Sequence, residues 1–133
     1  MAITSQDLCK VEFLAPLSSR DLNRLCSDMT ERTVPAGQVA VEQGSTGVAF
    51  FVVLDGELTV EVDGDEVRRL HTGDHFGELS LIVPETPRTA TVKALSDARL
   101  AGMSQWNFKG FVRDHPEVHW PLLVTLARQL SSR

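Results

Sequence analysis

The chain has 133 residues, 42% of them hydrophobic and 23% charged, and a formal net charge of −5. That length suits one domain with its own core, and the acidic balance gives a nucleic-acid reading no electrostatic support. No apolar run approaches the roughly 18 residues that a membrane helix needs, and the start MAITSQDLCK lacks a basic region followed by an apolar one. A soluble, cytoplasmic protein is expected, with no membrane or nucleic-acid partner. Cys9 and Cys26, outside any CxxC, are expected as reduced structural thiols.

Residues 1–15 read as short helical turns with Leu8, Val11, Phe13 and Leu14 as their apolar set. Ser18 with Asp21 three residues on is close to capping-box spacing, and Leu22, Leu25, Cys26 and Met29 follow at i, i+3, i+4 and i+7. This predicts a helix to about Thr30, inside an N-terminal helical segment 1–31.

From 32 to 103 the chain breaks into short β-rich runs punctuated by Gly, Asp and Pro. Predicted strands are Arg32–Val34, Val39–Glu42, Phe50–Leu54, Glu57–Val62, Val67–Leu70, Thr89–Leu95 and Arg99–Met103. Val62-Asp63-Gly64-Asp65 is a hairpin signal. Along Glu57–Val62 the side chains alternate, with Leu58, Val60 and Val62 facing one way and Glu57, Thr59 and Glu61 the other. Short strands with closely spaced turns imply a small barrel, roll or jelly roll, and no βαβ rhythm is visible.

After Met103 the texture returns to helix over 104–133. Ser104 is placed to cap a helix from Gln105 to about Asp114, with Trp106, Phe108, Phe111 and Val112 as its apolar set. Pro116 opens a second helix to about Leu130, striped by Val118, Leu122, Leu123, Leu126 and Leu130, and Pro121 in its second turn predicts a mild kink. Trp106, Phe108, Phe111 and Trp120 are expected to pack these helices on the roll, with part of that surface open to a partner or a second copy. The architecture expected for 1–133 is a single domain, mainly β with flanking helices.

The stretch from Gly73 to Val92, GDHFGELSLIVPETPRTATV, carries the chemistry. Gly77 before a short helical turn lets a ligand approach backbone N–H groups that lack intrahelical partners, and such a terminus favours an anion. Arg88, directly behind Pro87, offers a planar fork of donors that suits a phosphate. Glu78 would repel a phosphate and is better suited to accept from hydroxyls. An anionic subsite beside a hydroxyl subsite describes a sugar phosphate.

Gly73-Asp74-x-Phe76-Gly77-Glu78-Leu79-Ser80-Leu81 followed by Pro87-Arg88-Thr89-Ala90-Thr91-Val92 resembles the phosphate-binding cassette of the cyclic nucleotide-binding domain family, here 76–91. The resemblance runs from about Phe13 to Leu130 and includes Val34-Pro35-Ala36-Gly37 and Leu54-Asp55-Gly56-Glu57. It implies the family's β-roll, a double-stranded β-helix of jelly-roll type, and binding of cyclic AMP, or cyclic GMP, without catalysis. It implies that Glu78 accepts from the ribose 2′-hydroxyl, with the Gly77 backbone against the sugar and Arg88 on the exocyclic phosphate oxygens. Backbone N–H groups around Ser80, Thr89 and Ala90 would complete the cradle, with Leu79 beside them, and Val60 and Val62 would form the apolar wall for the purine. Thr89 after the arginine is a residue type linked in the family with tolerance of guanine. Val48 stands where many members carry an acidic residue that orients the arginine.

The expected role is therefore a regulatory module that relays cyclic nucleotide binding through its C-terminal helices to an effector domain or partner protein outside this chain. A homodimer through those helices is the further partner expectation, and no metal or other cofactor is expected. The alternative is a degenerate roll that binds no nucleotide and serves as an interaction module. A metal reading of His71, His75 and Glu78, spaced H-x3-H-x2-E, is the weaker third, because such sites usually draw a further ligand from a distant strand.

Overall fold

A computed structural model describes residues 3–44, 49–77 and 88–131. Two four-stranded antiparallel sheets form the β portion, which bears out the roll. The strands are β1 Thr30–Val34, β2 Val39–Val41, β3 Ala49–Asp55, β4 Leu58–Val62, β5 Asp65–Leu70, β6 His75–Phe76, β7 Thr91–Ala94 and β8 Ala98–Ser104. One sheet has the order β1-β8-β3-β6 and the other β2-β7-β4-β5.

Among the described residues four α-helices flank the roll: α1 Ser5–Leu8, α2 Ser19–Ser27, α3 Gln105–Asp114 and α4 His119–Ser131. Short 3-10 turns, Glu12–Leu14 and Pro116–Val118, precede α2 and α4. Local chemistry sets the helix starts where the sequence put them. The Ser18 hydroxyl accepts from the Asp21 N–H at 3.2 Å, and the Ser104 hydroxyl accepts from the Asn107 N–H at 3.2 Å.

The two central strands of the first sheet, β3 and β8, are buried on both faces, and this divides the core in two. Phe50, Val52 and Leu54 of β3, with Ala101 and Met103 of β8, face the helices, where they meet Phe13, Leu25, Phe108, Val118 and Leu122. Phe51, Val53, Ala98 and Leu100 face inward, against Leu58, Val60, Leu70 and Val92 of the second sheet. A strand covered on both sides must be apolar at every position, which is why Phe50 to Leu54 reads FFVVL without alternation.

Several boundaries differ from the sequence reading. Strand β1 begins at Thr30 rather than Arg32, inside the expected helical segment, because Thr30 to Val34 pairs residue for residue with Gly102 back to Ala98. An Arg99–Glu31 ion pair at 3.0 Å reinforces that seam, and the Arg99 hydrogen bond lowers the Glu31 carboxyl below its ordinary range. Strand β6 was not foreseen. Its two residues take their extended form from pairing with Phe51 and Val52.

The expected alternation in β4 fails at Thr59, which is 2% exposed, with no hydrogen-bond partner for its hydroxyl among the described residues. Thr59 lies between Lys93 and Arg69 on the neighbouring strands, and Arg69 is drawn across that face by Glu57 and Glu66 at 3.0 and 2.6 Å. Long charged side chains with apolar stems cover the small one between them. A register irregularity after Val60 then leaves Glu61 and Val62 both half-buried.

Pro121 does not kink a helix. The chain forms a separate 3-10 turn after Pro116, and α4 starts at His119, so Pro121 lies in its first turn, where a missing N–H breaks no helical bond. The two tryptophans do not pack on the roll either. Trp106 is 72% and Trp120 73% exposed, because Phe108 and Leu122 occupy the inward positions of their helices. Leu123, expected in the α4 stripe, is also exposed, and the Leu130 side chain lies outside the described residues.

Cys9 and Cys26 are free thiols, exposed and half-buried respectively, and burial is the main cause pushing the Cys26 thiol up. No described helix is long and apolar enough to cross a membrane.

Two glycines give a test of close packing at the turns. A Cβ at Gly56 (φ +99°) would fall 2.6 Å from the Asp97 carbonyl oxygen and 2.8 Å from the Ala98 Cα, whereas one at Gly64 (φ +87°) meets nothing within 4 Å. Gly64→Ala should lose only the backbone strain of about 1 kcal/mol, while Gly56→Ala should lose at least twice as much because main-chain atoms must move. Urea unfolding of the two variants checks this, and equal losses would contradict the packing.

Candidate functional site

Pairing of β6 with β3, Phe76 opposite Phe51 and His75 opposite Val52, leads the chain out at Gly77 beside Ala49, the first residue of β3. Gly77 has φ +95°, a conformation open to glycine and strained for other residues. A Cβ there would lie 2.6 Å from the Ala49 carbonyl oxygen and 2.7 Å from Nη1 of Arg88. The glycine is thus required twice, by its dihedral and by the guanidinium against it.

Arg88 is 6% exposed, and its Nη2 donates to the Ala49 carbonyl at 2.9 Å. Its own carbonyl accepts from the Gly44 N–H at 2.8 Å, which fixes the backbone from which the side chain reaches inward. A buried cation is costly unless hydrogen bonds and counter-charge surround it, so this placement demands an anionic or strongly polar environment. In a chain of net charge −5 the positive potential here is a local construction.

The loop after β2 is tied in at two further points that the sequence did not signal. The Gln43 N–H donates to Thr91 Oγ1 at 3.0 Å. The Gln43 side chain donates from Nε2 to Asp63 Oδ1 at 3.0 Å and accepts from the Asp63 N–H at 2.8 Å, at the tip of the β4–β5 hairpin. Asp63 and Gly64 both have positive φ, +53° and +87°, as a two-residue hairpin turn of this hand requires. Twenty residues separate Gln43 from Asp63, and no local pattern announces such a pair.

Of the predicted site residues, Gly77 and Arg88 come together. Val60 is 4% exposed within the inward cluster, opposite Val92 on β7 and Arg68 on β5. Ala90 packs against the same cluster, Thr89 is exposed, and Val62 is half-buried at the hairpin end opposite Asp65. Glu78, Leu79, Ser80 and Pro87 lie outside the described residues, as does Val48.

The histidines of the H-x3-H spacing part company. His71 is exposed, whereas His75 is 4% exposed with its ring 5.0 Å from Phe13 and 5.4 Å from Phe50. Among the described residues neither belongs to a group of metal-ligating atoms. A cleft of about 280 Å³ lies where β5 and the turn before β6 face α4, lined by Arg68, Leu70, His75, Thr125 and Arg128 among others. Arg128 bridges to Glu12 at 2.7 Å and so ties α4 to the N-terminal 3-10 turn.

Residues 31–115 match the family described as Cyclic nucleotide-binding domain. The chain is 34% identical over 113 residues to the cAMP-dependent protein kinase regulatory subunit of Yarrowia lipolytica, covering 81% of this chain and 30% of that protein. It is 36% identical over 91 residues to the cGMP-dependent protein kinase egl-4 of Caenorhabditis briggsae, covering 68% and 12%. The solved Thermus thermophilus catabolite activator protein superposes with a TM-score of 0.79 at 27% identity, over 90% of this chain and 58% of that one. The chain spans a third or less of the length of these two kinase-family relatives. On the family match, the sequence identity and the shared roll, this chain belongs to the cyclic nucleotide-binding domain family.

Proposed function

We propose that this chain is a regulatory sensor that holds a cyclic nucleotide in the roll and passes the event to an effector domain or partner protein through α3 and α4. The observation that carries the reading is Arg88, buried and held by the Ala49 carbonyl, against a Gly77 backbone with no room for a side chain. A planar cation next to a main chain that a ligand can approach suits the cyclic phosphodiester. Glu78 takes the ribose 2′-hydroxyl, and N–H groups around Leu79, Ser80, Thr89 and Ala90 complete the anion cradle. Val60 and Val62 face the purine. These groups bind and orient, and none is placed as a nucleophile, so the domain works by recognition. Residues 1–133 act as one unit in this reading. Trp120 and Leu123, exposed three residues apart on α4 and so on neighbouring turns of one face, supply the surface for a second copy.

A second observation bears on the base. Arg68 pairs in register with Val60 and so shares its face, is half-buried, and takes no hydrogen bond or ion pair among the described residues, unlike Arg69 beside it. Guanine presents O6 and N7 as adjacent acceptors to an arginine fork, whereas adenine offers a donor at the corresponding position. Arg68 and Thr89 together favour acceptance of cyclic GMP alongside cyclic AMP.

Titration calorimetry with both nucleotides tests the reading. Arg88→Ala should weaken either ligand by about ten- to a hundredfold, the value of a charge-assisted interaction of ~1.5–3 kcal/mol. Wild-type affinity in that variant would refute the assignment. Arg68→Ala should lower cyclic GMP affinity several-fold and leave cyclic AMP within about twofold; an equal loss for both would remove the guanine argument. A thermal shift screen separates the sensor from a degenerate roll, because ligand at about 100 times its dissociation constant stabilises by ~2.7 kcal/mol. A wild-type chain that gains nothing from either nucleotide is the degenerate roll.

A further inference from the structure

The two ends of the chain meet at a cluster unrelated to the nucleotide site. Asp21 on α2, His115 at the end of α3 and Glu117 in the following 3-10 turn place one ligand atom each within 4.8 Å of one another. His115 Nδ1 stands 4.0 Å from Asp21 Oδ2 and 3.7 Å from Glu117 Oε2. The imidazole lies 5.0 Å from the Phe111 ring, and the His115 backbone is fixed on both sides: its main-chain N–H donates to the Phe111 carbonyl at 3.0 Å, and its carbonyl accepts from the N–H of Val118, which is fully buried. The 3-10 turn that opens on Pro116 brings the Glu117 carboxylate back to within 3.7 Å of His115 Nδ1.

Two carboxylates this close repel each other, and one imidazole offsets at most one of the two charges. A divalent cation would neutralise both and replace the repulsion with coordination. A point equidistant from the three atoms lies no more than about 2.5 Å from each, so closure by roughly half an ångström reaches zinc–nitrogen and zinc–oxygen bond lengths. The donor set, one imidazole nitrogen and two carboxylate oxygens, suits a first-row divalent ion of borderline softness. Asp21 and His115 side chains are about one-third or less exposed and Glu117 44%, which leaves an open side for water as a fourth ligand and for entry.

We propose that Asp21, His115 and Glu117 form a site for a zinc-class divalent cation that clamps α2 to the joint between α3 and α4. The clamp spans 94 residues of sequence and acts on the joint at which the two C-terminal helices meet. It is independent of nucleotide binding and stands or falls separately.

The test is zinc titration of the full chain in a Cys9→Ser background, which removes an exposed thiol that would compete for the metal. One zinc per chain is expected, with a visible d–d band when cobalt replaces it. Glu117→Gln and Asp21→Asn should each lower affinity by more than about tenfold, and His115→Ala should abolish the cobalt band, while His71→Ala, at an exposed histidine elsewhere, changes neither. Zinc should raise the melting temperature of the parent but not of Glu117→Gln. If His115→Ala fails to fold, the two carboxylate variants decide. No uptake by the parent, or full uptake by both carboxylate variants, overturns the proposal.

Discussion

Strand β3 is the constraint on which the rest depends. Its side chains alternate between two cores, and its first residue holds the arginine. Phe50 and Val52 anchor the helical layer, and Phe51 and Val53 close the interior of the roll. Fully burying each such side chain contributes about 1.5–3 kcal/mol, so a shift of β3 along its axis would disturb both layers at once. That rigidity is what allows the Ala49 carbonyl to serve as a fixed acceptor for Arg88.

Besides its own bond to the Ala49 carbonyl, the guanidinium depends on hydrogen bonds that fix the backbone around it. The Gly44 N–H holds the Arg88 carbonyl, the Gln43 N–H holds Thr91, and the Gln43 side chain holds the hairpin tip at Asp63. The first joins backbone to backbone, where residue identity matters little, whereas the second needs the Thr91 hydroxyl and the third the Gln43 amide, which has the donor and acceptor that Asp63 needs. Gly77 is equally specific, because a Cβ there would meet both the guanidinium and a carbonyl.

Features governed by adjacent residues were legible in the sequence, and features governed by tertiary pairing were not. The caps at Ser18 and Ser104, the Leu22–Leu25 stripe and the Asp63-Gly64 hairpin all rest on spacing of four residues or fewer. The nearness of Gly77 to Arg88 was readable only through the family resemblance, because no periodic rule joins two residues that far apart in sequence. Two-residue β6 has no composition of its own. Thr59 is buried by the long side chains of two neighbouring strands, and Trp106 and Trp120 follow helical apolar spacing yet face outward. Hydropathy gives the face a residue prefers. It does not give the one left over after Phe108 and Leu122 have filled the core.

The same strand sets the route by which a ligand in the roll would act on the C-terminal helices. Ala49, whose carbonyl receives Arg88, is followed directly by Phe50, and the Phe50 ring lies 4.8 Å from Phe108 of α3 and 6.0 Å from Phe13. His75, two residues before Gly77, touches the same two phenylalanines, Phe50 and Phe13. The phosphate end of the proposed site and the helical core therefore share one aromatic cluster. A ligand moves an equilibrium only by the difference in its contacts with the two states, so what matters is whether those rings have two packings or one. Tight cores are bistable rather than continuously deformable, and four rings meet here edge-on and tilted. A ligand in the proposed site would act on α3 first, through Phe108, and on α4 through the joint at His115 and Pro116, so restraint at that joint would act on the second step alone.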